Sequence, residues 1–185
     1  AMHGLNGGRL NIAACSVGGA QAALDKTVGY LAERKAFGER LLDSQALQFR
    51  LADMRTGIEA SRTLLWRAAD ALDRGADDVV ELCAMAKRFA TDACFDVAND
   101  ALQLHGGYGY LAEYRLEKIV RALRVHQILE GTNEIMRVVV ARSVVPNRPD
   151  AWTGGLTITF PDPPALTRCP GVPAPTDGGP GLQGD

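Results

Sequence analysis

The first 145 residues of the chain contain no proline, and all nine prolines fall at or after Pro146. A proline inside a helix removes a backbone hydrogen bond and clashes with the preceding turn, so its absence permits long unbroken helices. Seven of the twenty glycines also fall in the last forty residues. That stretch, PNRPDAWTGGLTITFPDPPALTRCPGVPAPTDGGPGLQGD, cannot sustain a helix and has too few large apolar residues for a core of its own. The sequence therefore divides into a body, residues 1–145, and a Pro/Gly-rich tail, residues 146–185, expected to be disordered. A short strand around Leu156 to Phe160 is the one ordered element the tail could hold.

Hydrophobic spacing in the body defines the helices. The first is expected from about Asn6 to Ala36. The second begins near Ser44, a favourable N-cap, and places Leu47, Leu51, Met54, Ile58, Leu65 and Leu72 along one face before Gly75. The third opens at Asp77-Asp78, where acidic residues complement the helix dipole. It carries Val79, Cys83, Ala86, Ala90, Ala93, Val97 and Ala101 and stops at Gly106-Gly107. A shorter helix is expected from Glu113 to Leu123, and a last one from Thr132 to Val145. Short links between long amphipathic helices imply antiparallel neighbours, so the expected fold is an all-α, up-and-down bundle. Its seams are rich in Ala and Gly (GGAQAALD, AMAKRFATDA), which lets helices approach closely.

Composition excludes several classes of function. Hydrophobic residues make up 46% and charged residues 23%, the balance of a soluble globular protein. Net charge is −2, and no basic stripe is interleaved with aromatics, so nucleic acid is not an expected partner. No apolar run approaches the roughly 20 residues of a membrane-spanning helix, so no membrane insertion is expected. The start, AMHGLNGGRL, lacks the basic and apolar regions of a secretory signal, and it has no initiator Met at its first position. Cys15, Cys83, Cys94 and Cys169 show no metal-ligand or redox spacing. They read as inert thiols in a reducing compartment, and no metal is expected.

Three segments interrupt the helical pattern: RKAFGERLLDSQ at 34–45, QLHGGYGYL at 103–111 and HQILEGTNEIMR at 126–137. Each alone could be an ordinary helix stop. Together, in this order and spacing, they resemble the acyl-CoA dehydrogenase family, and LNGGR and LADMR extend the likeness across residues 1–145. Within the family, NGGRLNIAACSVGGAQAAL and HQILEGTNE are similar to the branch acting on short branched thioesters such as isobutyryl-CoA in valine breakdown. Leu129 stands where short- and medium-chain relatives commonly carry tyrosine.

The resemblance implies α,β-dehydrogenation of an acyl-CoA, with FAD as cofactor. Glu130 matches the base that removes the α-proton while the β-hydrogen leaves as hydride to the flavin. A carboxylate suits that step in a dry pocket, where desolvation lifts its pKa toward the working range, about 6–7 for tuned glutamates. The N–H of Glu130 would help polarise the thioester carbonyl. Some members carry the base at the position matching Gly8, which here has no side chain. Arg34, Ser44 and Gln45 match one FAD contact, with arginine as a planar phosphate clamp. Gln103, Leu104, His105, Gly106 and Gly107 match a second, and Thr132, Asn133 and Glu134 a third. Asn6, Gly7, Gly8 and Arg9, with Arg142, match substrate-side positions. Arg9 and Arg142 could instead be helix-surface ion pairs, and His126 reads as a packed or capping side chain.

Implied partners are the acyl-CoA substrate, an electron-transfer flavoprotein and further copies of the chain in a homotetramer. The compartment would be the cytoplasm of a bacterium or the mitochondrial matrix of a eukaryote. The family places an N-terminal helical domain and a middle β-domain before this bundle; neither is in the sequence, so the chain reads as a fragment, inactive alone. Two alternatives stay open: a non-catalytic helical oligomerisation module, and an acyl-CoA oxidase using oxygen directly.

Overall fold

The computed structural model describes residues 2–36 and 38–145, within the unit Ala1–Asn147; the second unit, Arg148–Asp185, lies outside the described residues. The tail, the strand expected near Leu156 to Phe160, and Cys169 therefore fall outside the description. Five helices account for most of the rest: α1 Met2–Glu33, α2 Gln45–Asp73, α3 Val79–His105, α4 Leu116–His126 and α5 Asn133–Val144.

Helix α1 buries Ala13, Val17, Ala20, Leu24 and Leu31, a spacing of three, four and seven that keeps one face inward. It ends at Glu33, three residues short of the expected Ala36. Lys35–Ala36 pairs instead with Glu39–Arg40 in a small antiparallel ladder, turned by Gly38 at φ +89°. A hairpin this short leaves no hydrophobic signature, so periodicity cannot announce it. A single 3₁₀ turn, Leu41–Asp43, leads into α2. Ser44 is the N-cap of α2 with extended backbone, but its side chain makes no capping hydrogen bond.

Helix α2 closes with a Schellman motif: Ala76 N–H donates to Ala71 O and Gly75 N–H to Leu72 O, with Gly75 at φ +62°. Helix α3 ends at Gly106, also left-handed, and a 3₁₀ segment Gly106–Tyr110 follows. Helix α4 starts at Leu116 rather than Glu113, because Arg115 adopts φ +61° and breaks the helical run there.

Helix α3 is the central element and packs on the other four helices. Arg50 on α2 pairs with Asp100 on α3, and Gly57 lies opposite Val97, so these helices run antiparallel. Helices α1 and α4 are antiparallel as well: Ser16 meets His126 and Gly19 meets Leu123. The all-α bundle expected from the sequence is what forms. The α2 stripe buries Met54 and Ile58 fully and Leu47, Leu51, Leu65 and Leu72 in part. All the expected α3 positions are buried except Ala93, which is half-buried. No helix among the described residues is long and apolar enough to cross a membrane.

Small residues set the close seams. A Cβ at Gly19 would fall 2.9 Å from Leu123 Cδ1, so glycine lets α4 lie down on α1. Leu123 is 1% exposed. Leu123→Ala should therefore cost about 2–5 kcal/mol, the range for emptying a packed leucine site, read as a shifted midpoint in chemical denaturation. An unshifted midpoint would show that α4 does not depend on this seam.

Candidate active site

Between α4 and α5 the chain makes a tight turn that carries Glu130. Helix α4 is closed by Ile128 N–H and Leu129 N–H, both donating to Val125 O. Glu130 and Gly131 then take φ +56° and φ +93°. A left-handed glutamate is uncommon, and such a conformation persists only where its surroundings over-determine it. Thr132 is extended and caps α5, its Oγ1 accepting from Ile135 N–H at 3.4 Å. Asn133 N–H donates back to Gln127 O, closing the turn at its base. Among the described residues no backbone carbonyl accepts from the Glu130 N–H.

This backbone directs the Glu130 carboxylate onto α1 at Gly8, where an added Cβ would stand 2.6 Å from Glu130 Cδ. Glu130 as a whole is exposed on this chain, so the described residues alone do not form the dry pocket expected around it. Beside Gly8, Asn6 and Arg9 are buried, and Arg9 Nη1 donates to Asn6 Oδ1 at 3.0 Å while its Nε is buried without a partner. Neither Arg9 nor exposed Arg142 forms an ion pair among the described residues. His126 is half-buried, with Nδ1 2.9 Å from Ser16 Oγ, and burial, reinforced by Lys87, pushes its pKa down.

Beneath the turn lies a polar cluster that sequence reasoning passed over. Lys87 on α3 is fully buried. Its ammonium donates to Gln127 O at 3.3 Å, Gly131 O at 2.8 Å and Asn133 Oδ1 at 2.8 Å. Burial pushes the Lys87 pKa down to about 8, against the pull of Asp92, Glu134 and Glu130. Asn133 Nδ2 donates to Thr91 Oγ1 and Asp92 Oδ1, and Gln127 Nε2 also donates to Asp92. Asn133, expected at a cofactor, is thus 3% exposed with its side chain engaged by α3. Its neighbour Glu134 is exposed, held below the usual carboxylate range by its own N–H and the Thr132 hydroxyl. The signal for Lys87 was present: it falls on the α3 stripe between Cys83 and Ala90, where an apolar residue would be ordinary.

The remaining expected cofactor residues gather elsewhere. Arg34 lies with its guanidinium 5.4 Å from the ring centre of Tyr108, in the segment just after Gly106 and Gly107. His105 is buried, stacked on Tyr30 at 4.3 Å and donating from Nδ1 to Ala101 O at 2.8 Å. Leu104 belongs to the apolar core, whereas Gln103, Gly106 and Gly107 are exposed. Leu41 N–H donates to Arg34 O, and Ser44 N–H to Leu41 O, which ties half-buried Ser44 and exposed Gln45 to the same end. A cleft of about 490 Å³ opens there, bordered by Asp25, Lys26, Tyr30, Glu33, Arg34 and His105.

Apart from Arg142, on the last turn of α5, the expected residues thus form two groups at opposite ends of the bundle. Gly8, against Glu130, is separated from Glu33 by roughly 38 Å of α1 at the usual rise of 1.5 Å per residue. One group holds Asn6 to Arg9, Glu130 and Thr132 to Glu134; the other holds Arg34, Ser44, Gln45 and Gln103 to Gly107.

The bundle thus lays one exposed carboxylate, on a left-handed turn, against a small-residue helix start beside a buried arginine. The comparisons identify the family. Residues 1–145 match the family model described as acyl-CoA dehydrogenase, C-terminal domain, and the chain belongs to that family. It is 54% identical over 145 residues to the mitochondrial isobutyryl-CoA dehydrogenase of Bos taurus, covering 78% of this chain and 35% of that protein. Butyryl-CoA dehydrogenase from Megasphaera elsdenii superposes with a TM-score of 0.75 at 40% identity, over 77% of this chain and 37% of that one. A structure described as an electron transferring flavoprotein of Acidaminococcus fermentans gives a TM-score of 0.76 at 44% identity, over 79% and 38%. The chain therefore spans about a third of the length of the relatives it matches.

Proposed function

We propose that residues 1–145 are the C-terminal helical part of an FAD-dependent dehydrogenase acting on a short branched acyl-CoA such as isobutyryl-CoA. The observation that carries the reading is the Glu130 carboxylate laid on Gly8 at the entrance to α5. In this reading Glu130 takes the α-proton of the thioester, and its unengaged N–H donates to the thioester carbonyl, stabilising the negative charge that grows there. Gly8 leaves room for the carboxylate itself, which occupies the space a side chain there would take.

The residues at the far end of the bundle fit a dinucleotide. Arg34 makes no ion pair among the described residues, and the exposed Gly106 and Gly107 let backbone come close to a bound group. When bound, FAD supplies the acceptor for the β-hydrogen and its electron pair. Arg34 and Glu130 lie at opposite ends of the bundle, so in this reading Arg34 of one copy and Glu130 of another serve one bound cofactor, in line with a homotetramer. Re-oxidation by an electron-transfer flavoprotein belongs to the same reading.

The test joins residues 1–145 to the N-terminal helical and middle β-domains that the family resemblance implies, because the chain alone is expected to be inactive. The expected result is a yellow protein whose flavin absorbance bleaches on adding isobutyryl-CoA. The exposure of Glu130 favours a second reading, an oligomerisation module without catalysis. A colourless oligomer, unmoved by acyl-CoA, would establish that instead.

A further inference from the structure

Lysine is among the residues least often fully buried, and a buried cation is retained only where every donor is met. Lys87 meets that condition in an unusual way. Its three ammonium hydrogens serve three oxygens, and all three oxygens belong to the segment around Glu130: Gln127 O on one side, Gly131 O and Asn133 Oδ1 on the other. The rest of the cluster, Thr91 and Asp92, also terminates on Asn133 and Gln127. None of these bonds ties α3 to a distant part of the bundle.

We propose that Lys87 is a positioning residue for the reaction, whose ammonium clamps the Gln127–Asn133 turn so that left-handed Glu130 delivers its carboxylate to Gly8. The proposal rests on the reading of Glu130 as the base. The physical reason for a cation is convergence. Three oxygens pointing into one buried space repel one another and need three hydrogens from a compact centre, which an ammonium carries and a neutral side chain of that length does not. Around it stand Asp92 on α3, Glu134 on α5, Glu130 on the turn, Arg9 on α1 and His126 on α4, so the charge lies within a mixed field.

The test uses hydrogen–deuterium exchange of the whole chain. Lys87→Met keeps length and apolar bulk while removing the donors. It should lower protection of the peptide spanning 127–134 by about tenfold or more, with α2 and the body of α3 unchanged, as for a local opening. Unchanged protection of the turn would overturn the proposal. Should Lys87→Met not fold, Asn133→Ser decides: it removes one acceptor and should loosen the same peptide alone, and an unaltered turn refutes the clamp. In the flavin-loaded enzyme, Lys87→Met should lower kcat by about 100-fold, the usual scale for a base displaced by about 1 Å, with KM nearly constant. An unaffected kcat would leave Lys87 with no part in positioning. A loosened turn together with full turnover in Glu130→Gln would fault the assignment of the base, not the clamp.

Discussion

In a protein that also carries the N-terminal and middle domains, Glu130→Gln should lower turnover of an isobutyryl-CoA-type substrate by roughly 10²–10⁴-fold, the usual contribution of a positioned general base. Flavin binding should persist. The amide has the shape of the carboxylate and leaves the turn in place, but it cannot accept the α-proton. Glu130 is exposed on this chain and forms no ion pair among the described residues. The substitution should therefore leave stability within about 0.5 kcal/mol, as for most surface changes. Steady-state rates, paired with the flavin spectrum of the same preparation, separate the two effects. Turnover retained at the wild-type level would remove Glu130 from the role of base.

Gly8→Ala should move stability and activity in opposite directions. Alanine is favoured over glycine inside a helix by about 0.8–1.0 kcal/mol, and position 8 lies within α1. Yet the new methyl would sit 2.6 Å from Glu130 Cδ. The atom it meets is the end of a mobile side chain, so the carboxylate swings away and the helix does not distort. Thermal unfolding should show an equal or higher midpoint. Turnover should fall by about 100-fold, the scale on which misplaced catalytic groups lose rate. Gly8→Leu, whose larger side chain displaces the carboxylate more, should fall further. A Gly8→Ala variant at full rate would mean that the carboxylate works from some position other than this one.

Much of the architecture was legible because helices are local. Proline distribution and the spaced apolar residues of α2 and α3 report which residues share a face, and burial of Met54, Ile58, Cys83, Ala90 and Val97 follows. The turn at 127–132 was legible as a break, since Gly131 and Thr132 interrupt the pattern with residues suited to a left-handed turn and a cap. The hairpin at Lys35–Arg40 was not, because four paired residues carry no period. The side-chain partners of Asn133 on α3, Thr91 and Asp92, were not legible either. Lys87 was passed over because a stripe of small and apolar residues is read as core, and a lone lysine in it is easily assigned to the solvent edge.

The sequence by itself determined which segments become helix, where α2 and α3 stop, and that a glutamate stands at the break before the last one. Those properties depend on dihedral preferences and on neighbours three or four residues away. Only the tertiary structure decided that the carboxylate meets Gly8, that Lys87 holds the turn from beneath, and that Arg34 lies at the opposite end from Glu130. These depend on which helix packs on which, and at what height, and residues far apart in the chain leave no periodic trace of the surface they will share.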